Sequence, residues 1–273
     1  MTLRSIGVVR CEVRERKAMP PLGVPAQVEL FPQYADGLLR IEKHSHIWVL
    51  AWLEGAERDV LQVTPRGVTE TEPEGLHGVF AVRSPARPNP IGLTAARVVN
   101  RQGLTLQLDR LDFADGTPVI DLKPYFASRD LVFSAFNAPI GRPATRQALR
   151  DSLLMQAVNF HGELCPGLAL GVRILEHFRT ELLGLSEPEQ WKIHVPLERP
   201  CLIDALMGVT RATPGRGSLL FQGVDAVRFE HQGSVYEYLL AAIGRTDPAA
   251  ILAAPEEELF TLRGGYHGQC DRR

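Results

Sequence analysis

The sequence lacks the features that mark several large protein classes. Its 273 residues contain no Gly-x-Gly-x-x-Gly fingerprint and no Gly-x-x-x-x-Gly-Lys-[Ser/Thr] loop, which argues against a Rossmann dinucleotide site and a P-loop. No apolar run approaches the roughly 20 residues that span a bilayer, and the longest, residues 47–53, is typical of a buried strand. Charge of one sign is not in excess, because Lys+Arg total 30 and Asp+Glu 32. Any contact with RNA therefore requires a local basic patch rather than a global basic field.

Cysteine is scarce. The four cysteines are far apart and form no Cys-x-x-Cys pair; they are Cys11, Cys165, Cys201 and Cys270. The first residues have neither the long apolar region nor the small-residue cleavage site of a signal peptide. We therefore expect a cytoplasmic protein without structural disulfides and without a membrane partner. Each cysteine is then a buried apolar residue, a nucleophile or a metal ligand.

The pattern of apolar residues differs between the two halves of the chain. Short apolar runs bounded by Gly, Pro or Asp recur up to residue 113, residues 78–82 among them, and the alternation is clearest over 105–109. Many short strands separated by turns predict an antiparallel barrel or sandwich. Beyond residue 147 apolar residues recur at helical spacing, and later runs have the composition of strands. We predict two domains, an all-β domain over 1–140, either barrel or sandwich, and an α+β domain over 148–273, joined by a linker at 141–147.

A proline-rich loop is the densest candidate site of the first half. Pro85, Pro88 and Pro90 fall within six residues, which excludes a regular helix or a central strand there. Arg83 and Arg87 lie on this stiff loop, and their guanidinium groups suit a carboxylate or phosphate. The alternative, a stiff connection with solvated arginines, has about equal weight.

Two further polar clusters accompany the loop. Asp121 and Lys123 are two residues apart on an extended segment, so they share a face, and a surface ion pair is the simpler interpretation. His46 precedes an apolar strand and is either a base or a structural histidine, the second being more common.

Taken together, these stretches resemble a known family. The segments SIGVV, IEKHSHIWVLAWL, GVFAVRSPARPNPIGL and LDFADGTPVIDLKPY are similar in sequence and order to the TrmO family, also called TsaA-like or YaeB-like, across residues 1–140. The resemblance implies a small β-barrel that binds S-adenosylmethionine and methylates N6 of threonylcarbamoyl-adenosine in the tRNA anticodon loop. It also implies a homodimer in which the partner completes the pocket.

The resemblance carries site residues with it. It places in or beside the cofactor pocket Pro20, Pro21, Leu22, Ser45, His46, Arg83, Arg87, Asn89, Leu93, Asp115, Gly116, Thr117, Pro118 and Lys123. Pro20-Pro21-Leu22 stands where the family usually has Pro-Arg-Gln. The N6 nucleophile must lose a proton, and Asp121 or His46 could accept it; the sequence does not choose between them.

A second constellation lies in the second half. His161 and Cys165 are four residues apart, and Pro166 and Gly167 open the next helix. Cys165 is then near a helix N-terminus, which favours the thiolate. Cys201 lies near another helix start. Two cysteines, a histidine and nearby carboxylates such as Asp204 suit zinc, nickel or iron. The alternative is a pair of buried cysteines acting as small apolar residues.

This half resembles the FmdE family, which takes its name from formylmethanofuran dehydrogenase. The similar segments are HGELCPGLALGVRI and CLIDALMGVTRATPGRGSLLF, within residues 150–245. The resemblance implies a divalent metal, zinc first, bound by His161, Cys165 and Cys201. Ala212 stands where the family often has a cysteine. His267 and Cys270 either complete a site or take no part.

Three functions remain open from the sequence. The leading hypothesis is an S-adenosylmethionine-dependent tRNA methyltransferase with an accessory metal domain. The others are methylation of a small thiol or metal-bound ligand, and a non-catalytic metal-binding sensor or chaperone. The candidates for an RNA-facing patch are Arg211, Arg216, Arg272 and Arg273.

Overall fold

The computed structural model describes residues 2–135, 137–138, 140–185, 191–231, 233–242 and 247–264. The chain divides into two compact units, Met1–Asn137 and Ala138–Arg273. The first long helix of the second unit begins at Arg146, so the last two residues of the predicted linker are helical. Within the described ranges, no helix is long and apolar enough to cross a membrane.

The first unit is a β-barrel. Its strands, among the described residues, are β1 (Gly7–Arg10), β2 (Val24–Leu30), β3 (His46–Trp52), β4 (Gln62–Val63), β5 (His77–Gly78), β6 (Ile91–Gln102), β7 (Thr105–Leu111) and β8 (Pro118–Pro124). Six of them close in the order β1-β2-β7-β6-β3-β8, with every neighbour antiparallel. β4 and β5 form a separate two-stranded ribbon, and a short helix, α1 (Ala127–Asp130), follows β8. The predicted barrel is confirmed.

Strict alternation of side chains explains the closed barrel. β2 alternates buried and exposed residues along its whole length. In β3, Ile47, Val49 and Ala51 are fully buried. Because side chains of a strand point alternately to its two faces, one face fills the barrel and the other meets solvent. The outward-facing residues of β3 are His46, Trp48, Leu50 and Trp52.

The prediction of a strand over residues 78–82 is wrong. β5 ends at Gly78, whose carbonyl accepts a hydrogen bond from the Ala81 N–H in a tight turn. The Arg87 guanidinium donates to the carbonyl oxygens of Val79 and Val82 at 2.9 and 2.7 Å. Those carbonyls are therefore engaged by a side chain of the same loop instead of a neighbouring strand.

The second unit combines helices with one mixed sheet, which confirms the α+β prediction. Its described helices are α2 (Arg146–His161), α3 (Pro166–His177), α4 (Pro200–Thr210) and α5 (Pro248–Ala253). Its described strands are β9 (Lys192–Pro196), β10 (Leu219–Gln222), β11 (Ala226–His231), β12 (Ser234–Leu240) and β13 (Phe260–Arg263). The sheet order is β10-β9-β11-β12-β13, with only β9 and β10 parallel. The sequence had not indicated β9 or β13, which are short.

Two glycines of α3 set its distance from α4. A Cβ added at Gly171 would lie 2.5 Å from the Cβ of Ala205, and one added at Gly167 would lie 2.8 Å from the Cβ of Cys201. Both distances are shorter than carbon atoms tolerate, so any larger residue would push the helices apart. The close approach brings the N-termini of α3 and α4 together.

Candidate functional site

Three side chains of the second unit form a cluster suited to a metal. His161 is the last residue of α2, Cys165 immediately precedes α3, and Cys201 is the second residue of α4. One ligand atom from each lies within 4.8 Å of the other two. The structure therefore brings together all three of the predicted ligands, although they come from three different helices.

Gly162 makes the approach of His161 to Cys165 possible. It follows α2 with φ 102°, and its N–H donates to the Val158 carbonyl at 2.8 Å. A left-handed residue of this kind ends a helix and reverses the chain, and glycine adopts it without steric cost. The His161 ring and the Cys165 sulfur thus face each other across a short turn.

The distances agree with tetrahedral coordination. Zinc binds sulfur at about 2.3 Å and imidazole nitrogen at about 2.0 Å, so tetrahedral angles place the two donor atoms about 3.5 Å apart. Cys165 Sγ lies 3.5 Å from His161 Nε2. Two soft sulfur donors and one imidazole are also the chemistry that zinc and similar metals prefer. The residues present therefore fit such an ion.

The environment of Cys201 points the same way. Burial is the main cause that raises the pKa of the Cys201 thiol, and the neighbouring Cys165 raises it further. Two thiols this close oppose each other's ionisation. A bound cation reverses that balance, because a coordinating thiol is deprotonated outright.

One carboxylate that lies outside the predicted ligand set contacts this cluster. Asp204 follows Cys201 by three residues on α4, which places both on one face of the helix. Its Oδ2 lies 2.8 Å from His161 Nδ1. The i, i+3 spacing of Cys201 and Asp204 was a signal available in the sequence.

In the barrel, several of the predicted cofactor and catalytic residues share one outer surface. Leu50 of β3 pairs with Leu93 of β6 on one side and with Asp121 of β8 on the other. Trp48 pairs in the same way with Lys123. Residues directly opposite each other point to the same face of a sheet. His46 continues this face at the start of β3, with Ser45 just before it.

Other predicted residues lie at one end of the barrel, where β2, β6 and β8 begin and β3 and β7 end. These are residues 20–22, the loop 83–90 and the turn 115–118. Six residues of extended chain separate Pro118 from Pro124, which is about 20 Å. Because Ile47 pairs with Pro124, Ser45 and His46 lie at the opposite end. A single chain therefore does not bring the whole predicted pocket together.

The two arginines of the proline-rich loop differ in what they contact. Arg87 donates through Nε to the Ser84 carbonyl at 2.7 Å and through Nη2 to the carbonyls of Val79 and Val82. Its guanidinium therefore fixes the shape of its own loop. Arg83 is exposed on the same loop, so its guanidinium is accessible to a ligand.

His46 is suited to accept a proton. Its Nδ1 lies 2.9 Å from the Ser45 hydroxyl. Burial lowers the pKa of the imidazole; nearby Asp109 acts in the opposite direction, and Arg97 and Arg110 lower it further. A lowered pKa favours the neutral form of the ring, which can accept a proton.

Asp121 forms an ion pair and also borders a cavity. Lys123 Nζ lies 2.6 Å from Asp121 Oδ2, and both side chains are substantially exposed. This confirms the surface ion pair that the spacing favoured. Asp121 is one of the residues that line a cavity of about 640 Å³. That volume lies within the size range of ligand pockets. Sequence reasoning did not assign its other polar lining residues, which include Tyr34, Arg40, Lys43 and His44.

The remaining predicted residues, Cys11 apart, belong to the second unit. Arg211 and Arg216 are exposed just after α4, which is compatible with a local basic patch. Cys11, Cys165 and Cys201 are free thiols. His267, Cys270, Arg272 and Arg273 lie outside the described residues.

Family comparisons match both units. The family described as tRNA-methyltransferase O N-terminal domain matches residues 8–131. The family described as FmdE, molybdenum formylmethanofuran dehydrogenase operon, matches residues 160–238. Both matches fall where the sequence motifs predicted them.

Individual relatives extend these matches. The chain is 41% identical to an S-adenosyl-L-methionine-binding protein of Archaeoglobus fulgidus over 136 residues, 48% of this chain and 94% of that protein. It is 38% identical over 230 residues to a probable S-adenosyl-L-methionine-binding protein of the same organism, covering 80% of this chain and 60% of the relative. It is 34% identical over 135 residues to the tRNA (adenine(37)-N6)-methyltransferase of Escherichia coli, covering 44% of this chain and 55% of that enzyme. The chain therefore belongs to the TrmO family, and it combines that family's N-terminal domain with an FmdE domain.

Proposed function

We propose that the protein is an S-adenosylmethionine-dependent methyltransferase that acts on N6 of threonylcarbamoyl-adenosine in the tRNA anticodon loop. The observation that carries the proposal is the 41% identity across nearly all of an S-adenosyl-L-methionine-binding relative. The acceptor is proposed from the Escherichia coli relative, whose name specifies adenine 37 of tRNA. A tRNA acceptor agrees with the expected cytoplasmic location.

The barrel's own residues supply the groups this reaction needs. S-adenosylmethionine, when bound, supplies an electrophilic methyl group on a sulfonium. Arg83 is exposed on its rigid loop and would bind the carboxylate of the methionine moiety. Either His46, whose lowered pKa favours the neutral imidazole, or Asp121 would take the proton that N6 loses. Methyl transfer otherwise depends on alignment, which a fixed loop provides.

The separation of the predicted residues favours a homodimer. The turn 115–118 and His46 lie at opposite ends of β8, about 20 Å apart. A pocket that uses both sets would take the turn from one chain and His46 from the other. Sedimentation of the purified protein across a concentration series tests this proposal; a monomer throughout would exclude the shared pocket.

The second unit is proposed to hold a divalent metal, zinc before nickel or iron, through His161, Cys165 and Cys201. The observation that favours it is the 3.5 Å separation of Cys165 Sγ from His161 Nε2, which is the distance between two donor atoms of a tetrahedral zinc ion.

The exposed Arg211 and Arg216 are proposed as part of a tRNA-binding patch. Their replacement by alanine would then weaken tRNA binding and reduce its dependence on salt.

The deciding experiment is transfer of labelled methyl groups from S-adenosylmethionine into bulk tRNA, with and without the threonylcarbamoyl modification. Identification of the nucleosides by mass should show label on N6 of the modified adenosine alone. Arg83→Ala should weaken cofactor binding, whereas Arg142→Ala, an exposed arginine outside the barrel motifs, should not. If the cofactor binds and no tRNA is labelled, the proposal of tRNA as the methyl acceptor is wrong. A small thiol is then the next acceptor to test.

A further inference from the structure

The contact between His161 and Asp204 carries an inference about the proposed metal centre. We infer that Asp204 is a positioning residue, whose carboxylate holds His161 in the tautomer and orientation that direct Nε2 towards the two cysteines. The inference rests on the proposed metal binding by the second unit, and it adds a residue that lies outside the ligand set.

The tautomer follows from the chemistry of the contact. An ionised carboxylate accepts hydrogen bonds and cannot donate them. At 2.8 Å from Asp204 Oδ2, His161 Nδ1 must therefore carry the ring proton and donate it. The lone pair of the neutral ring is then on Nε2, the atom that faces Cys165 Sγ at 3.5 Å. A metal needs that lone pair, and a hydrogen bond at the other nitrogen also makes the ring a stronger donor.

The backbone holds Asp204 in register with the ligands. Asp204 and Cys201 lie three residues apart on α4, so one helix carries both a ligand and the residue that orients another ligand. Gly171 lets α4 pack closely against α3, which begins immediately after Cys165. The position of the carboxylate relative to both sulfurs is therefore set by one helix pair.

The exposure of Asp204 separates a positioning role from a structural one. Its side chain is 40% exposed, whereas that of His161 is 17% exposed. Replacing Asp204 therefore opens no cavity in the core, and the metal-free fold should change little in stability. A loss of metal affinity would then report on His161 and not on unfolding.

The test compares zinc affinity in the full-length protein, measured by competition with a chromogenic chelator. Asp204→Asn should lower the affinity about 10–100-fold, the usual cost of removing such a partner. Asp204→Glu should recover part of it. The matched control is Asp151→Asn, an exposed carboxylate on α2, which should leave the affinity unchanged. Thermal unfolding of the metal-free proteins should agree among all four.

Cobalt substitution supplies a spectroscopic measurement. The visible bands of bound Co²⁺ report ligand geometry and should shift in Asp204→Asn at full occupancy. If this variant keeps its zinc affinity within twofold and its cobalt spectrum is unaltered, the positioning role is overturned and metal binding stands. If the wild-type protein itself binds neither ion, the metal centre is wrong and the inference fails with it.

Discussion

The two units differ in how they assemble their predicted sites. In the second unit the three predicted ligands come within 4.8 Å of one another. In the barrel the predicted cofactor residues lie on one outer face and at two opposite ends of β8. The three candidate ligands on packed helices are thus close together within one chain, whereas the predicted barrel residues are spread along the length of a strand.

The physical reason is the kind of element that carries each motif. Spacing on and between helices predicts proximity directly, since Cys201 and Asp204 share a face and Gly162 turns His161 towards Cys165. The barrel motifs lie on loops and strand ends, whose distances depend on strand order. That difference can be tested by substitutions in each unit.

The largest effect should come from the cysteines of the second unit. Cys165→Ser or Cys201→Ser removes a thiolate from a three-residue set, and we expect stoichiometric metal to be lost. Cys11→Ser is the matched control, since Cys11 is also a half-buried free thiol but lies in the barrel. Elemental analysis of the purified proteins measures the result. Full metal content in either variant would remove that cysteine from the ligand set.

A buried carboxylate should dominate the stability of the second unit. The Glu176 side chain is fully buried among three arginines: Arg150 binds it at 2.8 and 2.9 Å, Arg146 at 2.7 Å and Arg173 at 3.1 Å. Glu176→Gln removes the carboxylate that the buried Arg173 and the partly exposed Arg146 and Arg150 share. It should cost about 3–5 kcal/mol of unfolding free energy. Urea unfolding followed by circular dichroism checks this. A cost below about 1 kcal/mol would contradict it.

The same residue gives a dependence on pH. Burial opposes the charge of Glu176, but hydrogen bonds from Arg150 and Arg146 outweigh it and lower the pKa below its ordinary value of 4.5. A lowered pKa in the folded state contributes stability above pH 4.5 that is lost as the pH falls below it. The wild type should therefore lose more stability than Glu176→Gln between about pH 5 and the acid limit. If the unfolding free energies of the two proteins fall equally steeply with pH, the ionised Glu176 does not contribute to acid sensitivity.

The pattern of apolar residues was sufficient to predict an antiparallel β domain followed by an α+β domain, because both depend on local alternation or helical spacing. The barrel and the metal-ligand set came from the family resemblances; the barrel is confirmed, and the ligand set stays a prediction. The prediction of a strand at residues 78–82 failed, because hydrogen bonds from the Arg87 side chain to the backbone override the strand propensity there. The apolar pattern also missed β9 and β13. The contact of Asp204 with His161 depends on packing between α2 and α4, which spacing within one helix does not give.

Close helix packing in the second unit should be sensitive to a single methyl group. A Cβ at Gly171 would lie 2.5 Å from that of Ala205, so Gly171→Ala should cost about 1–3 kcal/mol through overpacking. It should also weaken zinc binding, since it moves α4 away from α3. Gly215→Ala is the control, because a Cβ there meets nothing within 4 Å. Similar unfolding curves for both variants would mean that the helix pair can relax.

The smallest effect on stability should come from the exposed ion pair of the barrel. Lys123 and Asp121 are 61% and 42% exposed, and pairs of this kind contribute about 0–1 kcal/mol. Lys123→Gln should therefore unfold almost like the wild type, in contrast to Glu176→Gln. Its affinity for S-adenosylmethionine should nevertheless fall several-fold if Lys123 lies beside the cofactor, as the family resemblance implies. Titration calorimetry measures this, with Lys17→Gln, another exposed lysine of the barrel, as the control. Unchanged affinity would make Lys123 a surface ion-pair partner alone and would narrow the proposed pocket to the loops and His46.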